Sequence, residues 1–413
     1  MLKSKKREVG MHIAGLGGKQ VVLGVSGGIA AYKVASWARS IAGEEAVLEV
    51  VMTAAAQHFV TPLTFEALSG NPVHAELFGE KAHGAMDHIS LATQADLILI
   101  APATANTIAK LAHGQADNLL TTMVLAATVP VVVCPAMNCN MYSHQATRAN
   151  LKRLIELGYE IVEPDSGELA CGVVGVGRLP EWHPVRERLL KALSPQDLDN
   201  KKILITAGPT REALDPARYI SNRSSGKMGY ALAETAVRRG AQVTLISGPV
   251  SLPPPPGVEM VKVSTGSEMY DEVMEKRGDV DIVVKSAAVA DFRPSVQQNH
   301  KIKKSGGVNS IELTPNRDIL AELGANRKGE QLLVGFAAES RDHLAEGTRK
   351  LKDKNLDLIV VNDILGKATG FDVDTNQVTL IDSQGSNALP LLSKEETANL
   401  IWDRVKDLLS ARE

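Results

Sequence analysis

The chain has 413 residues, 44% hydrophobic and 23% charged, with a formal net charge of −3. That length supports two hydrophobic cores, since single domains usually hold about 100 to 200 residues, and the near-neutral balance offers no global attraction to a polyanion, which argues against a nucleic-acid partner. No apolar run approaches the roughly 18 residues of a spanning helix, the opening MLKSKKREVG lacks the apolar stretch of a secretory signal, and three cysteines (Cys134, Cys139, Cys171) without C-x-x-C spacing fit neither a disulfide framework nor a structural zinc; a cytoplasmic protein with no membrane partner is expected.

Residues 20–33, QVVLGVSGGIAAYK, read as a buried strand, a glycine-rich turn and the start of a helix over 30–41. Apolar runs at 46–52, 96–101 and 130–135 follow, separated by helical stretches. Unbroken apolar strands alternating with helices predict a parallel sheet covered on both faces, hence a doubly wound α/β domain. In such a sheet the ligand lies outside the carboxyl ends of the strands. Ser26-Gly27-Gly28, Thr53, Ala101-Pro102-Ala103-Thr104 and Pro135-Ala136-Met137-Asn138 all fall there. Beyond Pro184 a helical stretch gives way to SPQDLDNKK, polar and without periodicity. We read a first domain over 19–190, a linker over 191–200 and a second domain over 201–413, with residues 1–18 an unassigned extension.

The second domain restarts with apolar segments at 203–206, 242–247, 282–287, 332–336 and 356–361 and a helix over 230–239, which implies another α/β sheet. Its first turn, within KILITAGPTREALDPARYISNRSSGKMG, crowds Gly, Ser, Arg and Lys between a strand and a helix. Backbone N–H groups and a helix N-terminus can cradle an anion there. Neither turn reads G-x-G-x-x-G, and G-x-x-x-x-G-K-[ST] is absent from the chain, so dinucleotide and Walker-type readings lose their main support. Two different phosphate-bearing ligands are the working expectation. Residues 253–256 are a polyproline surface connection, and the last helix opens with Ser393 and Glu396 in capping-box spacing.

Three residues of the first domain are candidates for chemistry. His88 precedes the strand at 96–101, where a lone histidine is usually structural. Asn138 in PAMNCNMY follows a buried strand, where an amide serves either a substrate carboxylate or a turn cap. Cys171 sits in the glycine-rich GELACGVVGVGR, as a proton donor over a pocket or as a small buried thiol. Taken together, GVSGGIAAYK, APATANTIAKLAHG, PAMNCNMY and ACGVVGVGR, in this order with His88 ahead of the last three, resemble the flavin-dependent cysteine decarboxylases. That resemblance implies FMN at the sheet edge, touching Gly27, Gly28, Ile29, Thr53, Thr104, Ala105, Asn106, Thr107 and Ala136. It implies His88 as base, Asn138 for the substrate carboxylate and Cys171 as proton donor, with the cysteinyl thiol oxidised to a thioaldehyde so that the carboxylate becomes able to leave. Many relatives carry Trp where this chain has Tyr142.

In the second domain, KSAAVADF ends a strand with small residues and a carboxylate, Asp291, and HKIKKSGG places three lysines beside two glycines. A structural turn and a solvated basic face are the alternatives. Lys350 and Lys354 lie four apart on a predicted helix and share a face. ITAGPTRE, RYISNRSSGKMG, SAAVADFRP, KIKK, GFAAES and NLDLIVVND together resemble the phosphopantothenate–cysteine ligases over residues 201–392. The resemblance implies CTP against Lys285, Ser286, Ala287, Asp291, Lys301, Asp318, Ile319, Leu320, Ala321, Phe336, Lys350 and Lys354, with Mg2+ on the phosphates near Asp291. It also implies catalytic roles for Asn222, which would hold an acyl-cytidylate, and for Lys301.

The two resemblances fit one another, because the ligase product is the decarboxylase substrate. As a whole the chain resembles the bifunctional enzymes of coenzyme A biosynthesis, acting on 4'-phosphopantothenate, L-cysteine and CTP. The expected fold is two doubly wound α/β domains: an N-terminal flavodoxin-like/Rossmann-like FMN domain and a C-terminal Rossmann-like nucleotide-binding ligase domain. Kinship implies a homo-oligomer, with trimeric decarboxylase domains and dimeric ligase domains in a dodecamer. An FMN-binding regulatory protein without catalysis would be expected to lack His88, Asn138 or Cys171, and a pyridine-nucleotide dehydrogenase would need the missing fingerprint.

Overall fold

The computed structural model describes residues 15–77, 87–168, 172–302, 310–339, 342–363 and 373–412. The chain divides into two compact units, one spanning Gly15–Pro195 and the other containing Gln196–Glu413.

The first unit holds β1 (Gln20–Val25), β2 (Val47–Met52), β3 (Val73–His74), β4 (Leu97–Ala103), β5 (Val131–Pro135) and β6 (Glu160–Ile161) in one sheet, followed by the antiparallel pair β7 (Asp165–Glu168) and β8 (Val174–Arg178). The six strands run parallel in the order β3-β2-β1-β4-β5-β6. Burial on both faces explains why they are apolar at consecutive positions. Val21, Leu23 and Val25 enter one core layer with Trp37, Phe65 and Leu189, while Val22 enters the other with Leu91, Ile108 and Leu120. The helix Leu119–Ala126 approaches so closely that a Cβ on Gly24 would lie 2.4 Å from the Leu120 Cδ1. Glycine is the residue that fits. Trp37 and Trp182 stack tilted, with ring centroids 5.7 Å apart, and tie the helices Ala31–Gly43 and Trp182–Leu193 together.

In the second unit, β9 (Lys202–Ala207) is followed by the hairpin β10 (Arg211–Asp215) and β11 (Arg218–Ser221), then β12 (Gln242–Ser247), β13 (Glu259–Lys262) and β14 (Ile282–Lys285). The pair β15 (Phe292–Pro294) and β16 (Leu313–Pro315) precedes β17 (Leu332–Glu339) and β18 (Leu358–Asp363). The last strands are β19 (Thr375–Asn376), β20 (Val378–Asp382), β21 (Gly385–Ala388) and β22 (Leu392–Ser393), with β19 and β22 paired antiparallel. The main sheet is ordered β13-β12-β9-β14-β17-β18-β20-β21, parallel through β18 and antiparallel beyond it. Its first six strands thus repeat the order of the first unit. The closing helix Lys394–Ser410 starts with the expected Ser393/Glu396 capping box and buries Ile401, Trp402 and Val405. The Trp402 indole N–H donates to the Leu232 carbonyl at 3.1 Å and the Thr235 hydroxyl at 3.0 Å on helix Lys227–Arg238. Arg239, 1% exposed, pairs with Asp197 at 2.6 Å and Asp403 at 2.8 Å. Such a charge is tolerated inside because both carboxylates and the Asn399 carbonyl meet its donors.

Candidate functional site

Each sheet reverses strand order between its first and fourth strands, and in each unit the candidate residues gather beyond that crevice, the place where doubly wound sheets bind ligands. In the first unit Ser26 closes the crevice. Its buried hydroxyl donates to the Pro102 carbonyl at 2.6 Å and accepts from the Thr104 N–H at 3.0 Å, fastening the end of β1 to the end of β4. Thr104 then caps the helix Ala105–Ala112, accepting from the Thr107 N–H at 3.4 Å. This leaves a helix N-terminus at the edge, suited to a phosphate. Thr53 donates its N–H to the Val25 carbonyl at 3.0 Å, and Ala136 donates to the Ala103 carbonyl at 3.1 Å. A Cβ on Gly27 would strike Ala55 at 2.4 Å, whereas one on Gly28 would meet only the Thr104 methyl at 3.5 Å. The turn is therefore tight at Gly27 and open at Gly28. Ile29 remains 57% exposed at its lip. Gly27, Gly28, Ile29, Thr53, Thr104, Ala105, Asn106, Thr107 and Ala136 thus line the ends of four strands, β1, β2, β4 and β5, and the start of the helix Ala105–Ala112.

Asn138 caps the helix Cys139–Ser143, its side-chain oxygen accepting from the Asn140 N–H at 2.8 Å. The turn-cap reading of this residue is therefore satisfied, and its amide nitrogen is the group that can face a carboxylate. Met137 beside it donates its N–H to the Gly177 carbonyl at 3.0 Å. Gly177 has φ of +146°, and a Cβ there would sit 2.2 Å from the Met137 carbonyl oxygen, so β8 can run against the Asn138 turn only with glycine at this position. The described parts of the glycine-rich stretch thus fall in the antiparallel pair β7 and β8. Cys171, between its strands, lies outside the described residues. His88 is half-buried in the first turn of helix Asp87–Gln94, whose Leu91 and Ala92 share a core layer with Tyr142. Tyr142 donates its hydroxyl to Glu163, and the Arg148 guanidinium lies 5.0 Å from its ring centroid. Burial, then the Glu163 hydrogen bond and charge, push this phenol up to about 12.

The second unit carries a cleft of about 420 Å³ lined by the glycine-serine turn 222–229, the end of β14, and side chains of β17 and β18. Asn222 donates its amide to the Val289 carbonyl at 3.0 Å. Thr206, fully buried at the end of β9, accepts the Ser286 N–H on its carbonyl at 3.2 Å and the Ala287 N–H on its hydroxyl at 3.3 Å. Those two bonds hold the strand-end loop open toward the cleft. Asp318 caps helix Ile319–Ala325 by accepting the N–H groups of Leu320 and Ala321, and its other oxygen meets Lys354 at 2.7 Å. Burial raises the Asp318 carboxyl, but Lys354, the Ala321 amide and Lys285 together hold it below the ordinary value. Lys285 donates to the Ala287 carbonyl at 2.8 Å. Burial first, then the charges of Lys354 and Lys350, outweigh Asp318 and Asp291 and bring its ammonium down to about 8.

Of the residues expected at the nucleotide, Lys285, Ser286, Ala287, Asp291, Asp318, Leu320, Phe336, Lys350 and Lys354 line this cleft together with Asn222. Ile319 is turned into the core at 2% exposure, and Ala321 contributes its N–H to the Asp318 cap. Lys354 is the cap residue just past helix His343–Asp353 rather than a residue within it; its ion pair with Asp318 brings it to the cleft. Lys301 is exposed beside Ile302, whose N–H donates to Asp215 at 3.1 Å, and it is not among the residues lining the cleft. Lys303 and Lys304 lie outside the described residues. Sequence reasoning missed Lys227, Met228, Asn362, Asn376 and Lys394, which also line the cleft. Lys227 and Met228 belong to a turn already noted for its glycines; the other three have no local signal, because β18, β19 and the last helix meet only in the fold. Among the described residues there is no group of three or more His, Cys, Asp or Glu able to hold a metal, and Asp291 is exposed.

Residues 12–194 match the family described as Flavoprotein, and residues 198–409 match the DNA/pantothenate metabolism flavoprotein C-terminal domain. The chain is 48% identical over 396 residues to the Coenzyme A biosynthesis bifunctional protein CoaBC of Vibrio vulnificus (strain CMCP6), covering 95% of this chain and 99% of that one. It is 48% identical over 398 residues to the protein of that name from Bacillus subtilis (strain 168), covering 95% and 98% of the two chains. To the Escherichia coli (strain K12) protein it is 46% identical over 394 residues, covering 94% and 97%.

Proposed function

The chain belongs to the family of coenzyme A biosynthesis bifunctional proteins CoaBC, a bifunctional enzyme that pairs a flavoprotein decarboxylase with a ligase, and we propose how its two units divide the work. The second unit joins cysteine to 4'-phosphopantothenate with CTP, through an acyl-cytidylate held at Asn222. The first unit decarboxylates the product to 4'-phosphopantetheine, with His88 as base, Asn138 on the departing carboxylate and Cys171 as proton donor. The observation that carries the ligase reading is the convergence of Lys285, Lys350 and Lys354 on one cleft facing the glycine-serine turn. Three cations around a triphosphate offset the charge that develops as pyrophosphate departs. With Asp318 engaged by Lys354 and its helix cap, the exposed carboxylate Asp291 fits a Mg2+ whose other ligands are phosphate oxygens.

In the first unit the tight, open-sided turn at Gly27-Gly28 and the capped helix N-terminus at Thr104 fit the phosphate arm of FMN. FMN when bound supplies a reversible two-electron sink. The chain's own residues hold the substrate carboxylate near Asn138, enclose it beneath the β7–β8 hairpin and move protons at His88 and Cys171. We further propose domains of 19–190 and 201–413, a cytoplasmic setting, and assembly of trimeric decarboxylase and dimeric ligase domains into a dodecamer.

The test follows the purified chain with CTP, 4'-phosphopantothenate and cysteine. Yellow protein is expected, with pyrophosphate released only when 4'-phosphopantothenate is present and carbon dioxide released once cysteine is added. Lys301→Gln should slow cytidylate formation and spare decarboxylation of supplied substrate; equal loss of both activities would remove the assignment of separate sites.

A further inference from the structure

The turn of the hairpin β10–β11 is built on a buried carboxylate that gathers more donors than a turn requires. Asp215, 2% exposed, accepts on one oxygen the N–H groups of Ala217 at 2.8 Å and Arg218 at 2.9 Å, and these two bonds close the turn. Its other oxygen accepts the Arg218 guanidinium at 2.9 and 2.6 Å and, from 87 residues further along, the Ile302 N–H at 3.1 Å. The same guanidinium donates to the Ile302 carbonyl at 2.7 Å. Ile302 is thus held at both of its backbone polar groups, and the Gln298 N–H donates to the Leu214 carbonyl at 3.0 Å, so the segment leading to Lys301 is fastened to the hairpin as well. The Ile302 N–H belongs to the planar peptide unit that also contains the Lys301 Cα. Fixing that plane fixes where the Lys301 side chain starts. Donors crowding both oxygens call for a group that only accepts. Burial raises the Asp215 carboxyl, but the Ala217 amide, Arg218 and the Ile302 amide bring it down to about 2, so it stays ionised at neutral pH. At the far end of the same hairpin, the Ser221 hydroxyl donates to the Thr210 carbonyl at 2.7 Å, and Asn222 follows. One short ladder therefore joins the two residues expected to act on the acyl-cytidylate.

We propose that Asp215 is the positioning residue for Lys301: through the Ile302 N–H its carboxylate sets the point from which Lys301 reaches the phosphates during cytidylate formation, and the β10–β11 hairpin keeps that point in register with Asn222. The inference deepens the ligase reading and rests on the assignment of Lys301 to that step. Lys301 is exposed and outside the cleft lining, so no packing directs its flexible four-carbon stem. Such a point charge serves a reaction only when its backbone origin is held. Asp215 touches no reacting atom in this scheme and acts through Lys301 alone.

Single-turnover pyrophosphate release by the full chain, with CTP and 4'-phosphopantothenate but no cysteine, reads the step. Asp215→Asn keeps an acceptor for the turn and sets an NH2 group against the Ile302 N–H and Arg218, so the distant bond is lost while the hairpin closes as before. The maximal rate should fall about tenfold, with the CTP concentration for half-maximal rate within about twofold of the parent's. In a Lys301→Gln chain, which already lacks the positioned group, the same substitution should change the rate by less than about twofold. An equal further loss in both backgrounds, or a change carried by CTP affinity, would reveal general loosening and overturn the proposal. If Asp215→Asn fails to fold, judged by loss of thermal protection by CTP, Arg218→Lys gives up the forked donor that reaches the Ile302 carbonyl and carries the same comparison. An undiminished rate in Lys301→Gln overturns the Lys301 assignment and the inference with it; a slow Lys301→Gln beside an indifferent Asp215→Asn overturns only the positioning role.

Discussion

Replacing Lys285 by Met should stabilise the second unit while disabling its ligation. The ammonium is held near 8 against an unfolded value of 10.5, by burial first and by Lys354 and Lys350 next. That gap corresponds to about 3 kcal/mol at 1.36 kcal/mol per pK unit. Lys285 keeps some surface access to the cleft, so solvent screens part of the effect, and a gain of about 1 to 3 kcal/mol is expected at pH 7. Between pH 8 and 10.5 the unfolded chain binds the proton that the folded lysine has released. Stability of the parent therefore rises with pH through that window, and the full penalty is present below 8. Met removes the slope along with the penalty. Trp402, buried in the second unit, reports its unfolding by fluorescence in a Trp37→Phe, Trp182→Phe background, since the chain has 3 tryptophans and those two pack together in the first unit. Urea titrations at pH 7, 8.5 and 10 would give the comparison. A Lys285→Met chain less stable than its parent at pH 7, or one whose stability still climbs above pH 8, refutes the reasoning.

Two further substitutions address the first unit. Ser26→Ala removes the bridge between the ends of β1 and β4 and leaves the half-buried Thr104 N–H without its acceptor, which should cost about 1 kcal/mol and lower the flavin recovered per chain, read from visible absorbance; full flavin content with unchanged melting would refute this. Gly177→Ala places a methyl 2.2 Å from the Met137 carbonyl oxygen, so β8 must part from the Asn138 turn; decarboxylation should fall at least about tenfold with ligation unchanged, and normal carbon dioxide release would show that the hairpin need not press there.

Much of the fold was legible because its signals are local. Apolar strands such as 20–25 and 97–103 announce themselves by composition, and Ser393 with Glu396 marks a helix start. The Gly27-Gly28 turn and the SNRSSGKMG turn were visible for the same reason, since each binding edge begins in a short run of unusual residues. Asn362, Asn376 and Lys394 were invisible, because an asparagine near a strand end looks like any turn former until β18, β19 and the last helix converge. The Tyr142 hydroxyl likewise acquires a partner only because Glu163, 21 residues on, folds back to it. Asp318 was read as a ligand of the nucleotide, yet its structural work as helix cap and partner of Lys354 could be seen only in three dimensions.

The crevices at the sheet centres also constrain how this polypeptide is born. Ser26 waits for Pro102, 76 residues downstream, and Thr206 for Ala287, 81 downstream. At a synthesis rate of about 5 to 20 residues per second, each central strand leaves the ribosome roughly 4 to 15 seconds before its second neighbour exists. During that interval an apolar ribbon edge is uncovered twice per chain, and nascent chains on one messenger are close enough to pair through it. Overproduction of this protein should therefore be limited by chaperone supply during translation more than by the durability of the finished molecule.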